Sequence, residues 1–203
     1  MIAFITGLIG AIFGACIAYF SDWLKEQRKK RDEQHGAIVR TQLALIGQLN
    51  SINNIQIQFL DPHRKDPQRS MKLIRFDTEV AELRVAYDSI SFLLVTINAN
   101  LVLDVHAAEQ SYFSAMTALT LRNQAFDKLH ANSEVEKLDL QTGQCTVRPK
   151  DPRDLKLLTD TTDNLYKTAD TARERLALQI KELEKAGKAL YPKRKFLQIA
   201  GQK

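Results

Sequence analysis

The chain has 203 residues, is 44% hydrophobic and holds only 8 Gly and 5 Pro. That excludes a disordered or collagen-like chain and allows one well-buried domain with at most an appendage. A net charge of +5 and a pI near 9.2 suit an anionic partner without requiring one.

The opening stretch "MIAFITGLIGAIFGACIAYFSDWLKEQRKKR" has no charged side chain from Ile2 to Phe20. No basic residue precedes the apolar run, as a cleaved signal peptide would need, and the run continues past Cys16, against a lipoprotein signal. Nineteen helical residues reach about 28 Å, close to the roughly 30 Å of bilayer hydrocarbon. Tyr19 and Trp23 stand where interfacial aromatics sit, and Lys25, Arg28, Lys29, Lys30 and Arg31 follow. Residues 1–24 are therefore expected to form a transmembrane helix, with its N-terminus outside and the rest cytoplasmic. The protein would be a single-pass inner-membrane protein in contact with membrane lipid. Ala3, Gly7, Gly10 and Gly14 recur at steps of four, three and four. In lipid such a row lets helix backbones approach, so it is the expected seam of a homo-oligomer.

Residues 25–60 read as a basic juxtamembrane segment and a first cytoplasmic helix, since nothing breaks the helix before Gly36. Ile38, Leu45, Leu49, Ile52 and Phe59 then fall at helical spacing. Residues 61–203 read as the remainder of a helical bundle. "DPHRKDPQRSMKLIR" is a proline-broken basic loop. Helix is expected to resume near Asp77, with Val80, Leu83 and Tyr87 on one side. "DSISFLL" reads as a capped, buried short helix. A long helix from Leu101 to His130 carries Val105, Tyr112, Met116, Leu119, Phe126 and Leu129 inward. Residues 139–152 read as a loop. The last helix, from Asp154 to Leu190, keeps a three-four repeat of Leu165, Ala169, Ala172, Leu176 and Leu183, the spacing of bundle packing. The tail "YPKRKFLQIAGQK" is basic with apolar insertions, suited either to anionic lipid or to the bundle surface.

No phosphate-binding loop, paired-cysteine motif or zinc-hydrolase motif is present. His35, His63, His106 and His130 are scattered. Asp104 and His106 point about 200° apart on a helix, and neither a metal nor another cofactor is expected. Cys16 and Cys145 fall in unlike segments, so no disulfide is expected. "LRNQAFDKLH" (Leu121 to His130) is the one cluster with chemical content. An arginine can stabilise a phosphorane and a histidine can move protons near neutral pH. Arg122, Asn123 and His130 resemble the signature of HEPN domains, small helical bundles that are often ribonucleases. Seven residues separate Arg122 from His130, which leaves them about 80° apart on an ideal helix.

With its opening apolar stretch, "SISFLL" and "LRNQAFDKLH", the chain resembles the small single-pass membrane proteins that accompany type VI-B CRISPR nucleases. That resemblance implies an all-α fold, a transmembrane helix followed by a cytoplasmic HEPN-like bundle. It also implies a non-enzymatic antiphage effector that oligomerises into a membrane pore beside an RNA-guided nuclease system. Two alternatives stand beside it: a membrane-tethered HEPN ribonuclease, for which RNA binding is an open question, and a non-enzymatic membrane adaptor.

Overall fold

The computed structural model describes residues 2–78, 84–96, 99–138 and 145–197, with 2–13, 134–138 and 145–149 described as backbone only. Three long helices dominate: α1 (Ile2–Ile55), α5 (Ala99–Ala131) and α6 (Pro152–Leu190). Short helices α2 (Arg69–Lys72), α3 (Tyr87–Ile90) and α4 (Leu93–Thr96) lie between α1 and α5, and strands β1 (Ser133–Leu138) and β2 (Cys145–Pro149) lie between α5 and α6.

The bundle core forms where the apolar spacing of the three long helices meets. Ile38, Leu45 and Ile52 of α1, Val105 and Tyr112 of α5, and Leu165, Leu176 and Leu183 of α6 are all fully buried. Burying a Leu or Ile side chain contributes about 1.5–3 kcal/mol, so this seam is the main source of stability. Ala108 and Ala115 on α5 and Ala169 and Ala172 on α6 are also sealed. Their small side chains let α5 and α6 approach closely.

Toward its N-terminus α1 leaves the bundle. Burial begins at Ala37, and from Gly14 to Glu33 every residue but Ser21 and Leu24 is exposed. This arm corrects the expected membrane span and, with it, the single-pass inner-membrane location. Among the described residues no helix is long and apolar enough to cross a membrane. The uncharged stretch from Thr41 to Leu60 is rich in Gln and Asn and is spent on the core.

Two local expectations also change. At Asp77 itself the chain is irregular, as are residues 74–78 and 84–86, while Val80 and Leu83 lie outside the described residues. Two carbonyls of the 74–78 stretch are engaged by side chains of α5. Arg122 donates to the Ile74 carbonyl at 2.9 Å, and Asn123 Nδ2 donates to that of Phe76 at 2.7 Å. A carbonyl so held is withdrawn from an intrahelical ladder. In the second case, β2 lies inside the region 139–152 read as a loop and pairs antiparallel with β1 just before it, with Ser133 opposite Pro149 and Val135 opposite Val147, and an irregularity between Val135 and Lys137.

Asp151 caps α6 by accepting from the Arg153 amide at 2.8 Å, with Pro152 at the first helical position. Asp154, 2% exposed, accepts from Lys128 at 2.8 Å and Asn132 at 3.0 Å, pinning the start of α6 to the end of α5. The Lys128 hydrogen bond, then that of Asn132, holds the Asp154 carboxyl below the usual carboxylate range. A depressed carboxyl stabilises the fold above its unfolded value of about 3.9 and loses that contribution as pH falls through its folded value. Thermal melts from about pH 6 to about pH 2 should therefore show a shallower acid-side fall in Tm for Asp154→Asn than for the wild type.

Candidate functional site

The structure brings Arg122 and Asn123 together and turns His130 away. Arg122 is fully buried, and its guanidinium donates to the carbonyls of Ile74 and Ser70 and to Asn123 Oδ1. Desolvation pushes its pKa down to about 10, and among the described residues no carboxylate is seen bonded to it. His130 is exposed. The Phe126 ring stands between them, 4.9 Å from the Arg122 guanidinium carbon and 4.2 Å from the His130 ring. The arginine is thus committed to carbonyls and an aromatic face, and cannot share a phosphate with a histidine beyond that ring.

Of the expected oligomer seam, Ala3, Gly7 and Gly10 lie outside the described side chains. At Gly14 an added Cβ would meet nothing within 4 Å. Tyr19 and Trp23 are exposed on the arm, where Trp23 stacks on Phe20. Among the described residues no three His, Cys, Asp or Glu side chains gather as a metal ion would require.

The expected interfacial basic residues lead to a different site. Where α1 enters the bundle, Arg28, Arg31 and Asp32 form one wall of a cleft of about 410 Å³. Tyr191, Pro192, Lys193 and Arg194, immediately past the end of α6, form the other. Arg28 and Arg31 share a face because they lie three residues apart on a helix. The second wall exists because α6 stops at Leu190 and the chain folds back over α1. The Tyr191 amide closes the helix on the Gly187 carbonyl at 2.8 Å, and the Arg194 amide returns to the Tyr191 carbonyl at 2.9 Å. Tyr191 then donates its hydroxyl to Gln34 at 2.8 Å, and Arg194 pairs with Asp32. Burial pushes the Tyr191 phenol up, against the pull of nearby Arg31.

The two segments that meet at this cleft carry the net charge of the chain, and four of their cations line it. Residues 25–33 hold five basic and three acidic side chains, and 193–195 hold three basic ones. The remaining 21 basic and 21 acidic residues cancel, so these two segments account for the full net charge of +5. Asp32 pairs with Arg194 in the cleft, and Glu33 pairs with Lys29 on the exposed arm. Arg28, Arg31, Lys193 and Arg194 outnumber Asp32 in the lining, and such an excess of positive charge in a cleft raises the local concentration of oppositely charged ligands.

The sequence displayed the Arg28 and Arg31 half of this site but not its meeting with Lys193 and Arg194, 160 residues further on. The available signal was "YPKRKF" directly after the last apolar repeat: a proline ends the helix, and three cations precede an aromatic that needs cover. Comparison with family models, curated proteins and solved structures yields no match, and none identifies a type VI-B accessory protein or a HEPN-like domain.

Proposed function

We propose that this chain is a non-catalytic binding module that captures a phosphate-rich polyanion in the cleft between the base of the α1 arm and the residues after α6. The observation that carries this reading is the convergence of the entire net charge on two segments, distant in sequence, that wall one cavity. Guanidinium groups suit phosphate, since each presents several donors in a planar fork. The cavity lies within the range of small-ligand sites, about 300–1,000 Å³, and admits a few phosphate units of a longer chain. A binding role is favoured over RNA cleavage because Arg122 is spent on the backbone and Phe126 separates it from His130. The pore expected from the family resemblance depended on a membrane span and is not carried forward.

Two phosphate sources share this chemistry, an RNA backbone and inorganic polyphosphate. Fluorescence anisotropy with a labelled single-stranded oligoribonucleotide, beside calorimetry with inorganic tripolyphosphate, distinguishes them. With about four cations engaged, the logarithm of RNA affinity should fall with the logarithm of salt at a slope of about −3. Arg28→Ala with Arg31→Ala should weaken the bound ligand at least about tenfold, and Lys65→Ala, on a loop elsewhere, should leave it unchanged. Absence of binding to both ligands, or equal loss from both sets of substitutions, would overturn the reading.

A further inference from the structure

The second wall of the cleft is not part of a helix or a sheet. It is a strap, residues 191–197, laid across α1 and α6 and held at defined points. At its far end the fully buried Gln42 grips the backbone in both directions: its Oε1 accepts from the Leu197 amide at 3.3 Å, and its Nε2 donates to the Leu197 carbonyl at 3.5 Å. The same amide nitrogen reaches the Ile180 carbonyl of α6 at 3.4 Å. Two residues earlier, His35 Nε2 lies 3.1 Å from the Lys195 carbonyl, in the place of a donor.

Between these grips the Phe196 ring occupies a notch. It meets His35 edge to face at 5.0 Å and rests on the bare backbone of Gly187. A Cβ at Gly187 would stand 2.4 Å from Phe196 Cε1 and 2.6 Å from its Cζ, inside the distance real atoms allow. Gly187 lies within α6, where glycine is less favourable than alanine. Helix formation alone does not explain a glycine here, whereas admission of the Phe196 ring does.

We infer that Phe196 and Gly187 act as a key and its notch, which dock the strap and so position Lys193 and Arg194 against Arg28 and Arg31. On this view they are positioning residues for a half-site that can detach. The inference rests on the proposed polyanion binding. It adds that strap docking and ligand binding are thermodynamically linked, each strengthening the other by the same factor.

Gly187→Ala provides a selective test, because it favours helix α6 while displacing the ring. Two readouts are taken on the full chain: hydrogen exchange of the Leu197 amide, which reports strap docking without ligand, and calorimetric affinity for inorganic tripolyphosphate. In Gly187→Ala the Leu197 amide should exchange at least about tenfold faster. Tripolyphosphate should bind at least about tenfold more weakly, matching Lys193→Ala with Arg194→Ala. In the wild type, saturating tripolyphosphate should slow Leu197 exchange. Phe196→Ala should reproduce both losses, since it empties the notch from the other side.

If Gly187→Ala frees Leu197 yet binds tripolyphosphate as the wild type does, the linkage is wrong and the binding reading survives. If Leu197 exchange is unchanged in both Gly187→Ala and Phe196→Ala, the keyed docking is wrong. If the wild type does not bind tripolyphosphate, polyphosphate capture fails and the linkage falls with it, even where exchange shows the strap released.

Discussion

Glu109→Ala should cost about 3–5 kcal/mol of folding stability, read as a lowered urea midpoint with little change in slope. Glu109 is 3% exposed in the middle of α5. Its Oε1 accepts from the Gln48 amide of α1 at 3.1 Å and from the Val85 backbone at 3.0 Å, and its Oε2 accepts from the Tyr87 hydroxyl at 2.5 Å. One carboxylate thus joins α1, α5 and the irregular segment entering α3. Alanine leaves these donors without their acceptor in a place water does not reach, and each buried unpaired group costs about 1–3 kcal/mol. Glu109→Gln should cost less, because one acceptor oxygen is kept, although its amide nitrogen now faces a donor. A second readout separates this network from simple cavity formation. Burial, followed by the hydrogen bond to Glu109, raises the Tyr87 phenol. Ultraviolet titration should therefore find a tyrosine ionising at lower pH in Glu109→Ala, provided the fold is held by added osmolyte. An unmoved tyrosine titration would show that the bond is not made in solution.

Arg122→Ala is the second large effect, expected at about 3 kcal/mol or more in the same denaturation experiment. The guanidinium is fully buried, holds the Ile74 and Ser70 carbonyls, and lies against Phe126. Its burial is itself unfavourable, as its lowered pKa records, so the net loss is smaller than the bonds alone would suggest. Arg122→Met separates the contributions, since it fills much of the volume but leaves the carbonyls unpaired, and should lie between alanine and wild type. Arg122→Lys should not restore stability, because an ammonium cannot reproduce the planar fork. These outcomes also discriminate between roles. A catalytic arginine could be replaced with loss of activity and little loss of stability, whereas a structural one shows the reverse. A wild-type urea midpoint for Arg122→Ala would sink the structural assignment.

The bundle was legible in the sequence because its apolar residues repeat at helical spacing over long windows. Ile38, Leu45 and Ile52, and the run from Leu165 through Ala169 and Ala172 to Leu176, fall on the faces that are buried. Periodicity registers such faces directly, since burial selects every third or fourth residue. The irregular stretch leading to Asp77 has a physical reason that local pattern does not carry: Arg122 and Asn123 take the carbonyls of Ile74 and Phe76 from across the fold. Local pattern cannot display a partner nearly fifty residues away. The same limit explains the cleft. Arg28 and Arg31 were conspicuous, but they were read with the apolar residues before them rather than with Lys193 and Arg194, which only the turn after α6 brings near. Charge was visible along the chain, whereas its convergence is a property of the fold.

The α1 helix is one rod from the exposed arm into the core, and that fixes an angular phase. Each residue turns a helix by about 100° and advances it by about 1.5 Å. From Gly14 to Gly36 the arm therefore extends roughly 33 Å, with the direction of every side chain set by the buried face below. Anything that grips the arm tip also sets the compass bearing of the cleft. Inserting one residue at Lys29 would swing the tip by about 100° relative to the bundle, and inserting seven would return it to within about 20° while lengthening it by about 10 Å. The arm thus transmits rotation as well as reach, as a keyed shaft does and a flexible tether cannot.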